Sequence, residues 1–362
     1  MKFTFILPHI NISGGVRFIF ELSNTLIDSG HEVNIVTPTI WRDKEIFSKG
    51  ILSNISNIPR ILKSLWEHKR NSSTLDWFDL KANCIKVPNL LAHNIPNANW
   101  IVATAFDTAY WVNSYSDKKG RKAYLILGYE LWGDKEKIHR SWHFSMTRLA
   151  CTSWLKEIVE KETGRPVSGV FFDGVNLKKF YPDYALLNKC KEPRWLRVGF
   201  VYRPYYAKGR YEAIRAFEIA RYFYPKLKLV CFGGTSKPKE GELPDCAEFY
   251  YKASENELRR IYSSCGTWMI PTWNEAGGCV LIEAMACGCA VIATETNGNL
   301  DVLIPNKIAL LSPVRDVQSM ARNIISLLDD KKKMEDFGKA GLERAQDFTF
   351  DKIAAIILET IK

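Results

Sequence analysis

A chain of 362 residues is longer than one hydrophobic core usually supports, so two domains of ordinary size are expected. Apolar residues make up 46% of the chain and charged residues 25%, a balance typical of a folded globular protein and not of a disordered one. The formal net charge is +10, but the basic residues are dispersed and no finger, RNP-like or basic-zipper pattern accompanies them, so no nucleic-acid partner is expected.

The N-terminus and the cysteines bear on the cellular compartment. The first apolar run is interrupted by Pro8 and His9 before it reaches the length of a signal peptide, and no later run approaches the roughly 18 apolar residues of a membrane-spanning helix. The nine cysteines are an odd number and are scattered, which disfavours a disulfide framework. We expect a cytoplasmic protein.

The first 37 residues predict a βαβ unit. Residues 2–7 read as a strand, and Ser13 is the expected cap of the following helix. Apolar residues recur at helical spacing from Val16, and Gly30 stands where a helix C-terminus favours positive φ. Residues 33–36 then form the second strand, so strand, loop, helix and strand follow one another.

Residues 41–70 mix apolar and basic side chains. Such a mixture is suited to contact with an anionic membrane surface, where a lipid-linked acceptor would reside. An ordinary amphipathic pair of helices packed on the first domain is the favoured alternative, because Pro59 interrupts the apolar stripe.

The same βαβ pattern returns in the second half of the chain. Residues 197–202 read as a strand, residues 203–209 as a loop before a helix, and residues 227–232 as the next strand. Between the halves, residues 174–193 begin with the glycine of the Asp173-Gly174 pair and contain two prolines and several lysines, and the hinge is predicted there.

Further along, the alternation of strands and helices continues. Ser254 and Glu257 predict a capping box before a short helix, and residues 267–270 and 291–294 read as buried strands. This order predicts a doubly wound parallel sheet, in which ligands bind at the carboxyl ends of the strands. The loops after strands ending at Leu7, Tyr202, Ile270 and Thr294 are therefore expected to face one crevice.

Residues 271–288 contain the most informative pattern. Glu275 and Glu283 are eight residues apart, so a helix that starts near Gly277 brings them to a similar side, where both can bind hydroxyls of one elongated ligand. Gly277 and Gly278 leave backbone N–H groups unobstructed at the helix N-terminus, which suits a diphosphate. For the spacing alone, the alternative is a small-residue loop followed by a helix whose Glu283 points to solvent.

This segment resembles the signature of the retaining glycosyltransferases of family 4. The resemblance is carried by a Glu, a small-residue segment, a second Glu eight positions on and the following strand entry; the matching residues are Glu275, Gly278, Glu283, Ala284, Ala286, Gly288, Ala290 and Val291. Arg203 and Lys208 stand where such enzymes hold the donor diphosphate. The resemblance implies the GT-B fold, an α/β fold of two Rossmann-like doubly wound parallel-sheet domains facing a central cleft.

The resemblance also implies roles for individual residues. Glu275, Arg203 and Lys208 are the expected catalytic residues: Glu275 holds the hydroxyls of the donor sugar, and the two cations hold its diphosphate. Glu283 is expected to hold the ribose. The further donor-binding residues are Gly14, Gly15, Ala276, Gly277, Gly278, Cys279 and Gly298, the last in a loop beside the sugar. No D-x-D motif is present, so neither a metal nor a cofactor is expected.

Other matches extend the resemblance over nearly the whole chain. Residues 151–156 resemble a strand-to-helix segment of the family, and residues 172–180 resemble its domain-end motif with Asp173 and Asn176 exchanged. Residues 1–178 are thus expected to form the acceptor-side domain and residues 179–349 the donor-binding domain. A terminal helix over residues 350–362 is expected to cross back onto the first domain.

One departure from the family lies in the first domain. Many members carry a His after a hydrophobic strand, near the transferred sugar, whereas this chain has Tyr129 and Glu130 there. These two residues and Asp107 are candidate acceptor-side residues, although an aromatic and an acid at a strand end are as often structural. His139 and His143 are spaced as metal ligands on a helix, but a surface-helix role is favoured because no third ligand is near.

The cysteines at 287 and 289, with Cys279 nearby, are interpreted as small packing side chains. The expected function is retaining transfer of a sugar from a nucleoside diphosphate sugar to a glycan or lipid-linked acceptor, in the synthesis of a cell-surface polysaccharide or glycoconjugate. The alternatives are a GT-B epimerase or phosphorylase, and a catalytically silent subunit that binds nucleotide sugars.

Overall fold

The computed structural model describes residues 1–39, 77–130, 133–183, 185, 192–234, 236–275 and 277–362. The predicted amphipathic segment at residues 41–70 lies outside these ranges, so its contact with a membrane stays a prediction. The chain divides into two compact units, one formed by Met1–Phe172 with Ile353–Lys362 and the other by Asp173–Lys352. The sequence had placed the boundary between residues 178 and 179.

The first unit contains a parallel sheet of seven strands. They are β1 (Lys2–Ile6), β2 (Glu32–Pro38), β3 (Asn83–Val87), β4 (Trp100–Ala103), β5 (Arg121–Ile126), β6 (Thr147–Ala150) and β7 (Gly169–Val170). Their order in the sheet is β3-β2-β1-β4-β5-β6-β7, so the direction of winding reverses between β1 and β4. The strands are nearly continuous apolar runs because the sheet is covered on both faces.

Helices of the described part of the first unit are α1 (Gly14–Asp28), α2 (Phe106–Ser114), α3 (Lys135–Trp142) and α4 (Ser153–Thr163). Helix α1 ends as predicted, with Gly30 at φ +83°. The predicted cap is only partly right: Ser13 occupies the N-cap position in an extended conformation, but its side chain makes no capping hydrogen bond. The backbone geometry of Ser13 thus starts the helix without the hydroxyl.

The second unit contains a parallel sheet of six strands. They are β8 (Arg197–Val201), β9 (Lys228–Gly233), β10 (Ala247–Tyr251), β11 (Thr267–Ile270), β12 (Ala290–Thr294) and β13 (Ala309–Ser312). The order β10-β9-β8-β11-β12-β13 repeats that of the first sheet and reverses between β8 and β11. The predicted doubly wound parallel-sheet architecture is confirmed in both units.

Helices of the described part of the second unit are α5 (Arg210–Phe223), α6 (Glu255–Ser263), α7 (Cys279–Ala286), α8 (Asn297–Val302), α9 (Val317–Asp329) and α10 (Lys331–Ala345). The predicted capping box is present at α6, where the Ser254 hydroxyl accepts from the Glu257 amide and the Glu257 carboxylate accepts from the Ser254 amide. Apolar side chains form the core between this sheet and its helices, with Val198, Phe200 and Phe217 completely buried.

The last helix, α11 (Phe350–Thr360), leads the chain from the second unit into the first. Residues from Ile353 onward pack with the first unit, where the Arg121 guanidinium donates to the Lys362 carbonyl at 3.3 Å. A Cβ on Gly169 would lie 2.8 Å from Oγ1 of Thr360, so the end of α11 lies directly against β7. None of the described helices is long and apolar enough to cross a membrane.

Candidate functional site

The candidate site of the second unit lies where its strand order reverses. The loops that follow β8 and β11 leave the carboxyl ends of two adjacent parallel strands, the position at which ligands bind in doubly wound sheets. The loops touch: the Trp273 amide donates to the Ala207 carbonyl at 2.9 Å. Gly209 has φ +72°, and a Cβ there would lie 1.9 Å from the Pro271 carbonyl oxygen, so only glycine permits this approach.

Lys208 and Glu275 are brought together by these loops. Nζ of Lys208 lies 3.0 Å from Oε2 of Glu275. The side chains retain 39% and 17% of their surface accessibility, so a ligand can still reach the pair. The family resemblance assigned the two residues to separate parts of the donor, and the structure shows that they form one ion pair.

The glycines after Glu275 shape the start of α7. The helix begins at Cys279, two residues later than predicted, because Gly277 has φ +103° and Gly278 is extended at φ −164° as the N-cap. A Cβ on Gly278 would lie 3.7 Å from the Glu275 carboxyl carbon, which places this carboxylate at the helix N-terminus. Ala276, the other predicted residue of this loop, lies outside the described residues.

Glu283 lies inside the unit, which excludes the alternative that it points to solvent. Only 2% of the residue is exposed, and its Oε2 accepts a hydrogen bond of 2.9 Å from the Tyr262 hydroxyl. Sequence reasoning missed Tyr262, whose signal is an aromatic residue near the end of α6. A buried carboxylate needs such a donor, because an unpaired charge is costly in a protein interior.

Arg203 follows β8 and is half-buried. Burial lowers the pKa of its guanidinium, and the nearby Tyr262 acts in the opposite direction. Tyr262 thus donates a hydrogen bond to Glu283, the predicted ribose-binding residue, and lies near enough to Arg203, a predicted diphosphate-binding residue, to affect its pKa.

Asp173, the first residue of the second unit, was not predicted as a site residue. Burial raises the pKa of its carboxyl to about 7, and the charges of Glu275 and Glu283 act in the same direction. Lys208 and a hydrogen bond from the Cys279 thiol act against this rise. Asp173 therefore lies among the groups of this site and adds a third carboxyl to it.

The exchange of Asp173 and Asn176 within residues 172–180 was the available signal. The exchange alone assigned no role to Asp173, because a sequence does not show that the first position of the motif lies near two glutamates. The exchange replaces an uncharged amide with an ionisable group in this environment.

Gly298 does not lie in a loop, and this part of the prediction is wrong. It is buried in helix α8, which follows β12 after a two-residue connection. The side-chain amide of Asn299 donates to the Thr294 carbonyl at 2.9 Å and fixes the short helix against the strand end. The Thr294 hydroxyl donates to the Thr272 carbonyl at 2.5 Å, which joins the loop after β11 to β12.

In the first unit, Gly14 and Gly15 are the first two residues of α1. A Cβ on Gly14 would meet no atom within 4 Å, and one on Gly15 would touch only Cδ1 of Leu127 at 3.7 Å. Neither glycine has a positive φ. Within the described part of the chain, therefore, neither packing nor backbone conformation requires glycine at these two positions.

The candidate acceptor-side residues lie near the carboxyl ends of β4 and β5. Oε2 of Glu130 accepts from the Phe106 amide at 2.8 Å, so this carboxyl supports the first residue of α2. Burial raises the pKa of Glu130 to about 8, and the charge of Asp107 adds to the rise. The Asp107 carboxylate accepts from the Thr108 amide at 2.8 Å. These contacts give Glu130 and Asp107 structural roles in the start of α2.

Tyr129 belongs to an aromatic cluster. Its ring packs edge-on against Trp142 and its hydroxyl lies 2.7 Å from Nε2 of His139. Nδ1 of His139 lies 3.1 Å from a Glu162 oxygen, so both ring nitrogens of this histidine have protein partners. His143 follows the end of α3. The surface-helix interpretation of the His pair agrees with these contacts.

Cys287 and Cys289 are completely buried, as the packing interpretation required. The Cys289 thiol donates to the Tyr262 carbonyl at 3.1 Å, and burial raises its pKa to about 11. The described residues contain no cluster of three or more His, Cys, Asp or Glu side chains that is arranged to hold a metal ion.

Doubly wound domains bind their ligands at the switch point, and this domain carries cations and carboxylates there. Residues 193–344, most of the second unit, match the model of the family described as glycosyl transferases group 1. This match confirms the resemblance of the second unit to glycosyltransferases.

The curated relatives that this chain matches are glycosyltransferases by name. Over 197 residues the chain is 25% identical to the N,N'-diacetylbacillosaminyl-diphospho-undecaprenol alpha-1,3-N-acetylgalactosaminyltransferase of Campylobacter jejuni, a match that covers 50% of each protein. The chain spans about half the length of the curated relatives it matches first.

Solved structures extend the likeness to both units. Sucrose-phosphate synthase from Thermosynechococcus elongatus matches with a TM-score of 0.72 at 19% identity, covering 99% of this chain and 97% of that one. HepE from Anabaena, solved with UDP-glucose, matches with a TM-score of 0.72 at 14% identity over 99% of each chain. The predicted GT-B fold class is confirmed.

Proposed function

We propose that the protein is a retaining glycosyltransferase of family 4 that transfers a sugar from a nucleoside diphosphate sugar to a glycan or lipid-linked acceptor. The observation that carries the proposal is the convergence of Lys208, Glu275 and the glycines at 277 and 278 on the switch point of a group 1 glycosyl transferase domain.

The diphosphate of the donor would be bound by Lys208, Arg203 and the backbone amides at the start of α7. Negative charge develops on the leaving diphosphate as the glycosidic bond breaks, and fixed cations together with a helix N-terminus stabilise it. This charge balance makes a metal ion unnecessary, and we propose that the reaction uses neither a metal nor another cofactor.

Glu275 and Glu283 would then bind hydroxyls at two points of the donor. Glu275 lies at the N-terminus of α7 beside Lys208, which suits the transferred sugar next to the diphosphate. Glu283 lies one to two turns further along, bonded to Tyr262, which suits the ribose. Departure of Lys208 toward the diphosphate would release the Glu275 carboxylate to accept from sugar hydroxyls.

The glycines at the start of α1 support a role for the first unit. Their open surroundings allow a phosphate or an acceptor to approach the backbone closely. A lipid-linked acceptor is favoured by the Campylobacter relative, whose name specifies a diphospho-undecaprenol substrate. Synthesis of a cell-surface glycoconjugate follows from that acceptor class.

The proposal is tested by incubating the protein with a panel of nucleoside diphosphate sugars, with and without acceptors, and following nucleoside diphosphate release. We expect release from at least one donor to increase with an acceptor, and proton NMR of the product to show the anomeric configuration of the donor. Donor consumption that no acceptor increases would favour an epimerase, and an inverted anomer would exclude retention. Glu275→Gln is expected to abolish the acceptor-dependent release of nucleoside diphosphate.

A further inference from the structure

Three aromatic residues lie beside the candidate site and form what we call the aromatic platform: Tyr205, Tyr206 and Trp273. The ring centroids of Tyr205 and Tyr206 are 5.2 Å apart, and those of Tyr206 and Trp273 are also 5.2 Å apart. Tyr205 is 46% exposed and Tyr206 65%. The platform thus presents adjoining aromatic surfaces to solvent.

Trp273 is fixed in place by polar contacts. Its indole Nε1 donates to a Glu212 oxygen at 3.0 Å, and its amide donates to the Ala207 carbonyl at 2.9 Å. The Arg315 guanidinium lies 4.5 Å from the centre of its ring. The ring of Tyr206 packs against this fixed residue. The fold therefore positions the platform through Trp273.

Two of the cations around the platform are paired with carboxylates, and a third, Arg315, lies over the Trp273 ring. Lys208 pairs with Glu275, and Arg210 pairs with Glu242 at 2.9 Å. In the described part of the chain, the hydroxyls of Tyr205 and Tyr206 make no hydrogen bond. The platform therefore offers apolar ring faces, free phenolic hydroxyls and little net charge.

These properties define the chemistry of the partner. A sugar ring has an apolar face of C–H bonds, which packs on an aromatic ring, and a rim of hydroxyls, which bind phenolic oxygens. An anionic membrane surface would instead need a cluster of exposed basic residues and long aliphatic side chains, whereas Lys208 and Arg210 are paired with carboxylates and Arg315 lies over the Trp273 ring. A neutral carbohydrate is the partner that fits.

The position of the platform connects it with the proposed reaction. Tyr206 precedes Lys208 by two residues, and Trp273 precedes Glu275 by two residues. We propose that the aromatic platform binds a sugar ring of a neutral acceptor glycan, next to the site of transfer. This proposal rests on the proposed function and specifies the acceptor as an oligosaccharide chain, or a lipid-linked one, with an uncharged sugar near its acceptor end.

Binding of neutral oligosaccharides to the full chain provides the test. Maltohexaose, cellohexaose and chitohexaose are titrated with the wild type, with the double variant Tyr205→Ala/Tyr206→Ala and with the control Tyr222→Ala/Phe223→Ala. Tyr222 and Phe223 form an equally exposed aromatic pair at the end of α5, 82% and 62% exposed. Saturation-transfer NMR gives the dissociation constants.

We expect at least one oligosaccharide to bind the wild type with a dissociation constant in the roughly millimolar range. The platform variant should bind it about tenfold more weakly, the control variant as tightly as wild type, and Tyr205→Phe/Tyr206→Phe in between. Absence of binding by all three oligosaccharides, or equal binding by the platform variant, would overturn the proposal.

Two further measurements separate the possible failures. Binding of anionic phosphatidylglycerol vesicles that depends on the platform would assign it to a membrane and overturn the carbohydrate proposal. Nucleotide-sugar binding is measured on the same samples: if donors bind but oligosaccharides do not, only the platform proposal fails. If no donor binds, the proposed function fails as well. Unchanged thermal unfolding verifies that the variants are folded.

Discussion

Lys208 and Glu275 form an ion pair of 3.0 Å at the point where the second sheet reverses its strand order. The pair joins the loops after β8 and β11. These loops can meet because residue 209 is a glycine, without a Cβ that would clash with Pro271. If Lys208 binds a diphosphate, the pair must open or share its charge with the ligand. Donor binding and the freedom of the Glu275 carboxylate are therefore expected to be coupled.

Removal of the lysine is expected to affect activity much more than stability. A partly exposed ion pair contributes about 0–1 kcal/mol to folding, so Lys208→Ala should unfold close to the wild-type temperature. Loss of a group that stabilises the leaving diphosphate should lower kcat/KM roughly 10²- to 10³-fold. Lys332→Ala, which removes an 83% exposed lysine on α10, is the control. Comparable loss of activity in both variants would contradict the assignment of Lys208.

Gly14→Ala is expected to fold normally and to lose activity. A Cβ at position 14 meets nothing within 4 Å and needs no unusual φ, so the thermal unfolding temperature should not fall. The methyl group would obstruct a ligand that approaches the backbone of α1, so the activity should decrease. The comparison is Gly209→Ala, which is expected to be destabilised by at least about 1–2 kcal/mol because of its φ of +72° and its contact with Pro271. Full activity of Gly14→Ala would show that Gly14 is not part of the site.

Asp173 predicts a dependence of donor affinity on pH. The pKa of its carboxyl is about 7, so the group becomes charged as the pH rises through neutrality and adds negative charge beside the diphosphate site. Because the diphosphate of a nucleotide sugar keeps its charge over this range, affinity for the donor should fall as the pH rises through about 7. Asp173→Asn should remove the decrease, as measured by calorimetric titration, whereas Asp245→Asn, at an exposed carboxyl, should not. A pH profile that Asp173→Asn leaves unchanged would contradict the prediction.

Glu130 predicts a dependence of stability on pH. Its pKa is raised from 4.5 to about 8 in the folded protein, so the folded state binds a proton that the unfolded state has released. This contribution to stability is present in full below pH 4.5 and is lost as the pH rises through about 8. The glutamine of Glu130→Gln does not ionise, and its amide oxygen can still accept from the Phe106 amide. The thermal stability of this variant should therefore increase relative to that of the wild type as the pH rises over this range. Glu157→Gln, at an exposed position of α4, should show no such trend; an equal trend in both variants would contradict the role of Glu130.

Much of the fold was predictable because its signals are local. The capping box at Ser254 and the positive φ at Gly30 depend on neighbouring residues, and both were confirmed. The start of α7 was predicted two residues early, because a sequence shows that Gly277 and Gly278 are adjacent but does not show their φ angles.

Glu275 and Glu283 were predicted from their spacing together with the family resemblance, and Lys208 was predicted from the resemblance. The residues that contact them were not predicted. Tyr262 reaches Glu283 from another helix, and Asp173 enters the site from the start of the unit. Contacts of this kind depend on the tertiary fold, and an isolated sequence contains no periodicity that reveals them.

Binding of inorganic pyrophosphate, which needs no knowledge of the nucleobase or the sugar, tests most directly whether the loops of the second unit form a diphosphate site. In a ¹⁵N-labelled sample we expect pyrophosphate to shift the amide resonances of Gly277, Gly278 and Cys279. Lys208→Ala and Arg203→Ala should each weaken its binding about tenfold, equivalent to about 1.4 kcal/mol. Pyrophosphate that leaves these amides unshifted, or binds both variants as tightly as the wild type, would show that these groups do not share one diphosphate.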